Sequence, residues 1–198
     1  MIQINTVVLG EMSTNCYCIR GKDGRAVVID PAARGDRIAA WLEQQGLTLD
    51  AIFLTHAHFD HIGGLKLLQE KTGAPVYLKK EDLAIVPVLS YGRMTDDSRD
   101  YGETVTAAGL EFKVLHTPGH TPGSVCLLVE KALFSGDTLF AGCCGRTDLA
   151  GGDPTEMSRS LKKLYTLEGN YTVYPGHEDP TELDTERRVN PYLREAGV

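Results

Sequence analysis

No stretch of this sequence is apolar for long enough to cross a bilayer, which takes about 20 residues. The opening Met1-Ile2-Gln3-Ile4-Asn5 has neither the basic head nor the apolar run of a secretory signal. The expectation is a cytoplasmic chain with no membrane partner. Clustered cations are missing too. The net charge is -7, and Lys and Arg group only as short pairs such as Lys79-Lys80 and Arg187-Arg188. Phosphate recognition needs a basic face, so nucleic acid is not expected as a partner. The five cysteines show no zinc-finger spacing: Cys16 and Cys18 alternate as in a strand, Cys126 lies in an apolar run, and Cys143 and Cys144 are neighbours. Reduced thiols in a reducing compartment fit that pattern. No Gly-x-Ser-x-Gly elbow is present, which removes the commonest serine nucleophile and leaves water as the attacking group in any hydrolysis.

What is there fits one domain over residues 1–198, 42% hydrophobic and 24% charged, large enough to bury a core without cross-links. Alternating apolar residues predict strands over Ile2 to Val8, Thr14 to Arg20 and Ala26 to Asp30. A helix over Arg34 to Gln45 with a stop at Gly46 follows. A strand from Asp50 to Thr55 and a helix from Ile62 to a stop at Gly73 flank a polar loop. Beyond them come a short strand, Pro75 to Leu78, and a short helix, Lys80 to Val86. From Pro87 to Gly102 the periodicity dissolves, as in a lid. Strands then recur at Glu103 to Thr106, Leu110 to His116, Ser124 to Glu130, Ala132 to Ser135 and Tyr171 to Tyr174. Asp153-Pro154-Thr155-Glu156 and Asp179-Pro180-Thr181-Glu182 both read as helix starts with an N-cap Asp and Pro at the first turn. Meander, helix, strand and helix occur twice in that order, which predicts two similar halves.

The polar loop is Thr55-His56-Ala57-His58-Phe59-Asp60-His61. Four side chains able to bind a metal fall within six residues, too close for a regular helix or strand to aim all of them inward. A loop at a strand end can do it. Imidazole and carboxylate without thiolate suit a catalytic zinc, iron or manganese better than a structural zinc. Further on, His116, His120, Asp137 and His177 are candidates, and all but His116 follow a strand end or a glycine turn. Rigid loops of that kind, such as Thr117-Pro118-Gly119-His120-Thr121-Pro122-Gly123, hold ligands in place.

The series His56-x-His58-x-Asp60-His61, Pro118-Gly119-His120-Thr121, Ser135-Gly136-Asp137-Thr138-Leu139-Phe140 and Pro175-Gly176-His177-Glu178 resembles the metallo-β-lactamase superfamily. Within it, the series looks like the short single-domain hydrolases of the glyoxalase II (hydroxyacylglutathione hydrolase) type. The resemblance runs across nearly the whole chain. It implies an α/β, four-layer αβ/βα sandwich: two mixed sheets flanked by helices, with two divalent ions, zinc first and iron or manganese as options. His56, His58 and His120 would bind one ion and Asp60, His61 and His177 the other. Asp137 would bridge them, which two carboxylate oxygens permit and an imidazole does not. Asp60 would also orient the attacking water, whose pKa two cations bring near neutral. His116 has no counterpart among the family's ligands and reads as structural.

The implied reaction is hydrolysis of a small acyl thioester such as S-lactoylglutathione, with Arg146 in Gly145-Arg146-Thr147-Asp148 binding a substrate carboxylate. The implied partner is a small thiol conjugate, with monomer and dimer both open. Full-length glyoxalase II proteins add a helical extension for glutathione, and with Val198 only 21 residues after His177 none is expected here. Related chemistries are lactone or ester hydrolysis and persulfide oxidation at a single iron; the His61-Ile62-Gly63-Gly64 stretch favours the hydrolases. Exported β-lactamases of the fold commonly carry Cys where Asp137 stands.

Overall fold

The computed structural model describes residues 2–83 and 98–197. The first sheet holds β1 (Gln3–Leu9), β2 (Thr14–Arg20), β3 (Arg25–Ile29), β4 (Thr48–Phe53) and β5 (Val76–Tyr77), side by side in that order. The first two pairings are antiparallel and the last two parallel. A parallel pairing needs a crossover, and α1 (Gly35–Gln44) and α2 (Leu65–Thr72) supply the two required.

Before the second sheet comes α3 (Lys80–Leu83). The sheet itself contains β6 (Thr104–Ala107), β7 (Leu110–His116), β8 (Val125–Val129) and β9 (Ala132–Gly136) as an antiparallel meander. A two-stranded ribbon, β10 (Leu139–Phe140) with β11 (Cys143–Cys144), follows. Then α4 (Pro154–Tyr165) carries the chain across to β12 (Thr172–Pro175), parallel to β9. The last elements are β13 (Thr181–Glu182), α5 (Leu183–Val189) and α6 (Pro191–Gly197).

Three apolar layers separate four layers of structure. Tyr17, Ile29, Phe53, Phe112, Leu127 and Phe134 fill the seam between the sheets. Ile38, Leu42 and Leu68 join the outer face of the first sheet to α1 and α2. Met157, Leu161, Leu164, Leu183 and Leu193 do the same for the second sheet with α4, α5 and α6. The expected αβ/βα sandwich is therefore present, and its halves match: a meander, then a strand added in parallel through a helix. Loops that leave the C-terminal ends of parallel strands gather on one edge, where open α/β sheets place ligands.

One expectation changes. Asp179-Pro180-Thr181-Glu182 does not start a helix. Thr181 and Glu182 pair with Val173 and Thr172 as β13, and the Glu182 carboxylate accepts from Thr172 Oγ1 and Asn170 Nδ2. Long-range strand pairing has overridden a local signal. The Asx-Pro start is used later, where the Asn190 side-chain oxygen accepts from the Tyr192 and Leu193 backbone N–H groups ahead of Pro191. Asp153 caps as expected, accepting from Thr155 and Glu156 N–H. The predicted lid over 87–102 lies for the most part outside the described residues, as does the end of the Lys80 to Val86 helix. The part that is described packs down: Arg99 bridges to Tyr77, and buried Tyr101 donates to the Leu54 carbonyl.

The C-terminal helices are fastened to the β10–β11 ribbon by a buried polar knot. Asn190 Nδ2 donates to the carbonyls of Phe140 and Cys143 and to Glu186, while Glu186 accepts from the Gly142 N–H and the Thr181 hydroxyl. Asn190→Ala strands two part-buried carbonyls and the α6 cap. It is expected to lower unfolding stability by about 2–4 kcal/mol, measured by urea denaturation; a change inside 0.5 kcal/mol would show the knot to be dispensable.

Candidate metal centre

The loop after β4 runs His56 to His61 over the edge of the first sheet. From the second sheet, the loop after β7 brings His120, the end of β9 brings Asp137 and the end of β12 brings His177. All seven side chains converge. Three groups lie with one donor atom of each member within 4.8 Å of the others': His56, His58 and His120; His56, His61 and Asp137; Asp60, His61 and His177. Asp137 lies between the outer two groups. Its Oδ2 is 3.4 Å from His120 Nε2 and 3.5 Å from His177 Nε2, and its Oδ1 is 3.4 Å from His61 Nε2. Asp60 Oδ2 lies 3.3 Å from His177 Nε2 and accepts from Thr14 Oγ1 at 3.0 Å.

The rings are fixed from behind. His56 Nδ1 meets Thr55 Oγ1 at 3.1 Å, His61 Nδ1 meets Asp30 Oδ2 at 2.9 Å, His120 Nδ1 meets the Arg146 carbonyl at 2.8 Å, and His177 Nδ1 meets the Met12 carbonyl at 3.1 Å. Each of the four thereby turns Nε2 inward, while His58 presents Nδ1, 2.8 Å from His120 Nε2. At the centre His56 Nε2, His61 Nε2 and Asp137 Oδ1 are buried without a hydrogen-bond partner. Orphaned buried groups of this kind are costly unless something else meets them, and inward lone pairs with the opposite ring nitrogen tied back are what a metal ion requires. The donor set fits divalent cations of the zinc, iron and manganese class.

At His56, His58 and the two carboxylates the electrostatics agree with that fit, whereas His61 is lifted well above the imidazole range against its burial by Asp137 and Asp30. Burial holds His56 well below the usual imidazole range, reinforced by charge on His61, and burial with His120 nearby brings His58 down to about 4. Both rings are neutral at pH 7, with lone pairs available. Burial works against ionised Asp60, yet the bond from His177 and the charge on His61 bring its carboxyl to about 2. Asp137 is likewise held well below the carboxylate range against burial, chiefly by His61 and His177. His177 is pushed down by burial but lifted to about 9 by Asp137 and Asp60. Two carboxylates draw positive charge to this spot.

The other candidates sit differently. His116 is outside the three groups, its Nε2 on the Pro122 carbonyl at 2.8 Å, where it staples the loop that carries His120. The Arg146 guanidinium lines the same cleft but is exposed and doubly bonded to Asp148 at 2.7 and 2.8 Å. Cys143 and Cys144 line the cleft without joining the donor groups. Over the centre opens a cavity of about 640 Å³ with Met12, Phe59, Phe140 and Leu149 on its walls.

Sequence reasoning passed over the residues that hold the centre. Asp30 follows directly on β3 with a left-handed φ of 48° and accepts from Thr55 N–H and Oγ1 as well as meeting His61. It obeys the strand-end criterion that picks out Asp137, and that signal was available. Asn15 and Tyr17 on β2 donate to the Pro175 carbonyl, and Asn15 also to that of Glu178, so the first sheet grips the His177 loop of the second. Nothing local marks either residue.

Residues 9–177 match the family model described as the metallo-beta-lactamase superfamily. The chain is 37% identical over 201 residues to the probable metallo-hydrolase YqgX of Bacillus subtilis, covering 93% of this chain and 94% of that one. It is 30% identical over 208 residues to the hydroxyacylglutathione hydrolase GloC of Haemophilus influenzae, covering 97% and 98%. Among solved structures, TTHA1623 in a di-iron-bound form superposes with a TM-score of 0.85 at 38% identity, covering 95% and 99%. The BLEG-1 B3 metallo-beta-lactamase superposes with the same score at 37%, covering 96% and 99%. With the strand order, the donor groups and these matches in agreement, the chain belongs to the metallo-beta-lactamase superfamily.

Proposed function

We propose that this superfamily hydrolase cleaves a small acyl thioester of the S-lactoylglutathione type. In this reading His56, His58 and His120 hold one divalent ion, Asp60, His61 and His177 a second, and Asp137 reaches both. The observation that carries it is the set of inward ring nitrogens around an Asp137 oxygen with no other partner. Bound there, two such ions supply Lewis acidity toward a carbonyl oxygen and bring the pKa of a water near neutrality.

The chain's own groups do the rest. Asp60, ionised and fixed by Thr14, faces the cleft, and in this reading it accepts a hydrogen bond from the attacking water and orients it toward an acyl carbon. Met12, Phe59, Phe140 and Leu149 give the acyl group an apolar wall and limit solvent at the centre. Arg146 offers a guanidinium to a substrate carboxylate, exchanging Asp148 for it. A thiolate leaves without being protonated first, so this cleft needs no dedicated acid for a thioester. The likeness to GloC over nearly the full length of both chains supports the same choice. A β-lactam amide is a second candidate, because the BLEG-1 B3 metallo-beta-lactamase is a solved neighbour at 37% identity.

Protein loaded with zinc, iron or manganese in turn and assayed with thioesters, lactones, a β-lactam and glutathione persulfide is expected to hold two ions per chain and to turn over the thioester fastest. One iron per chain with persulfide-dependent oxygen uptake would overturn the reading. Stripping the ions with a chelator should abolish activity and lower the melting temperature, since a ligand that binds only the folded state stabilises it; an unchanged melting curve would count against buried ligation.

Asp137→Ala and Asp60→Ala are expected to lose more activity than the roughly 100-fold that loss of an outer partner typically costs. Gly176→Ala should do as much damage, because a Cβ there would lie 2.2 Å from Asp137 Oδ1 and 2.7 Å from His61 Cε1. Wild-type turnover in any of the three would refute the assigned centre. Arg146→Ala is expected to raise KM for a glutathione thioester by roughly tenfold with kcat kept, the pattern of lost ground-state binding; steady-state kinetics showing an unchanged KM would remove Arg146 from the substrate site.

A further inference from the structure

Asp82 is buried with 0% exposure on α3, and the chemistry above makes no use of it. Its carboxylate reaches two separate loops. Oδ2 accepts from the Ala57 N–H at 3.0 Å and from Thr121 Oγ1 at 2.9 Å, and Oδ1 accepts from the Gly123 N–H at 2.6 Å. Ala57 stands between His56 and His58; Thr121 follows His120. One side chain thus ties the loop from the first sheet to the loop from the second at the point where three imidazoles meet.

The surroundings are built for a carboxylate. Each of its three partners here is a donor. The Thr121 hydroxyl shares a further bond of 2.7 Å with Ser124 Oγ, which also accepts from the Thr121 N–H. Gly123 leaves room for the carboxylate, since a Cβ at that position would lie 2.7 Å from Asp82 Cγ. An amide in place of the carboxylate would turn an NH2 toward N–H or O–H donors and orphan at least one buried group, a loss that stable folds avoid.

The group of Asp60, His61 and His177 is fastened by other means. His61 rests on Asp30, Asp60 on Thr14 and His177 on the Met12 carbonyl. None of these contacts passes through Asp82.

We infer that Asp82 is a positioning residue that fixes the distance between the His56–His58 pair and His120, and thereby governs one of the two proposed ion positions and not the other. The inference rests on the two-ion reading. It is tested on the full chain, stripped of ions and titrated with zinc against a chromophoric chelator. Wild type, Asp82→Asn, Thr121→Val and His120→Ala are compared, with circular dichroism and thermal melting on each. Wild type is expected to take up two ions. Asp82→Asn should keep one at wild-type affinity, the same one that His120→Ala keeps, and bind the other about 10- to 100-fold more weakly, with Thr121→Val between.

Wild-type affinity at both positions in Asp82→Asn overturns the inference, as does an equal weakening of both, which would mark a general loss of structure. Should Asp82→Asn not fold, Thr121→Val decides: selective weakening supports the role and two unchanged affinities refute it. A wild type that binds fewer than two ions overturns the two-ion reading and the inference with it, whereas two ions in wild type and no selectivity in the variants overturns the inference alone.

Discussion

A buried imidazole has two nitrogens to satisfy, and the arrangement of the whole edge follows from how that is done. Thr55, Asp30, the Arg146 carbonyl and the Met12 carbonyl each hold one nitrogen of a histidine from behind, which fixes the rotation of the ring and points the other nitrogen at a common space. Rings free to rotate would find each other or water, and the lone pairs would not converge. Every element that carries one of these backing groups is therefore constrained together with the element that carries the histidine.

Those elements come from both sheets. Asp30 and the His56–His61 loop belong to the first; His120, Asp137 and His177 belong to the second, and Asn15 and Tyr17 lock the two at Pro175. The aromatic seam of Tyr17, Phe53, Phe112 and Phe134 holds the sheets face to face, and the polar edge stands at the end of that seam. Carboxylates that stay ionised and imidazoles that stay neutral are then a matter of depth: burial disfavours charge on His56 and His58, while the neighbouring histidines keep Asp60 and Asp137 charged in spite of it.

Much of this could be read from the chain alone, for identifiable reasons. The alternating and helical patterns gave the two similar halves because each sheet has one face against helices and one in the seam. The donor side chains stood out because His56, His58, Asp60 and His61 crowd one loop, and His120, Asp137 and His177 each follow a glycine. Asp82 did not stand out, because an acid beside Glu81 in a short helix looks like any exposed one until its three donors are brought from residues 57, 121 and 123. Asp179 misled because its capping signal is local, whereas the pairing of Thr181 with Val173 that overrides it depends on the finished sheet. The β10–β11 ribbon, two residues a side, is too short to leave a periodic trace.

The knot of Asn190 and Glu186 has a consequence for how such a cleft diversifies. It connects the final helices directly to the backbone of Phe140, Gly142 and Cys143, and Phe140 and Cys143 form part of the rim. A change of length or angle in those helices bears on the mouth of the cavity through these main-chain atoms, and the Arg146 carbonyl that backs His120 follows the same ribbon two residues later. The final helices, the rim and the backing of His120 are in this way anchored along one short ribbon, so none of the three is set without the others.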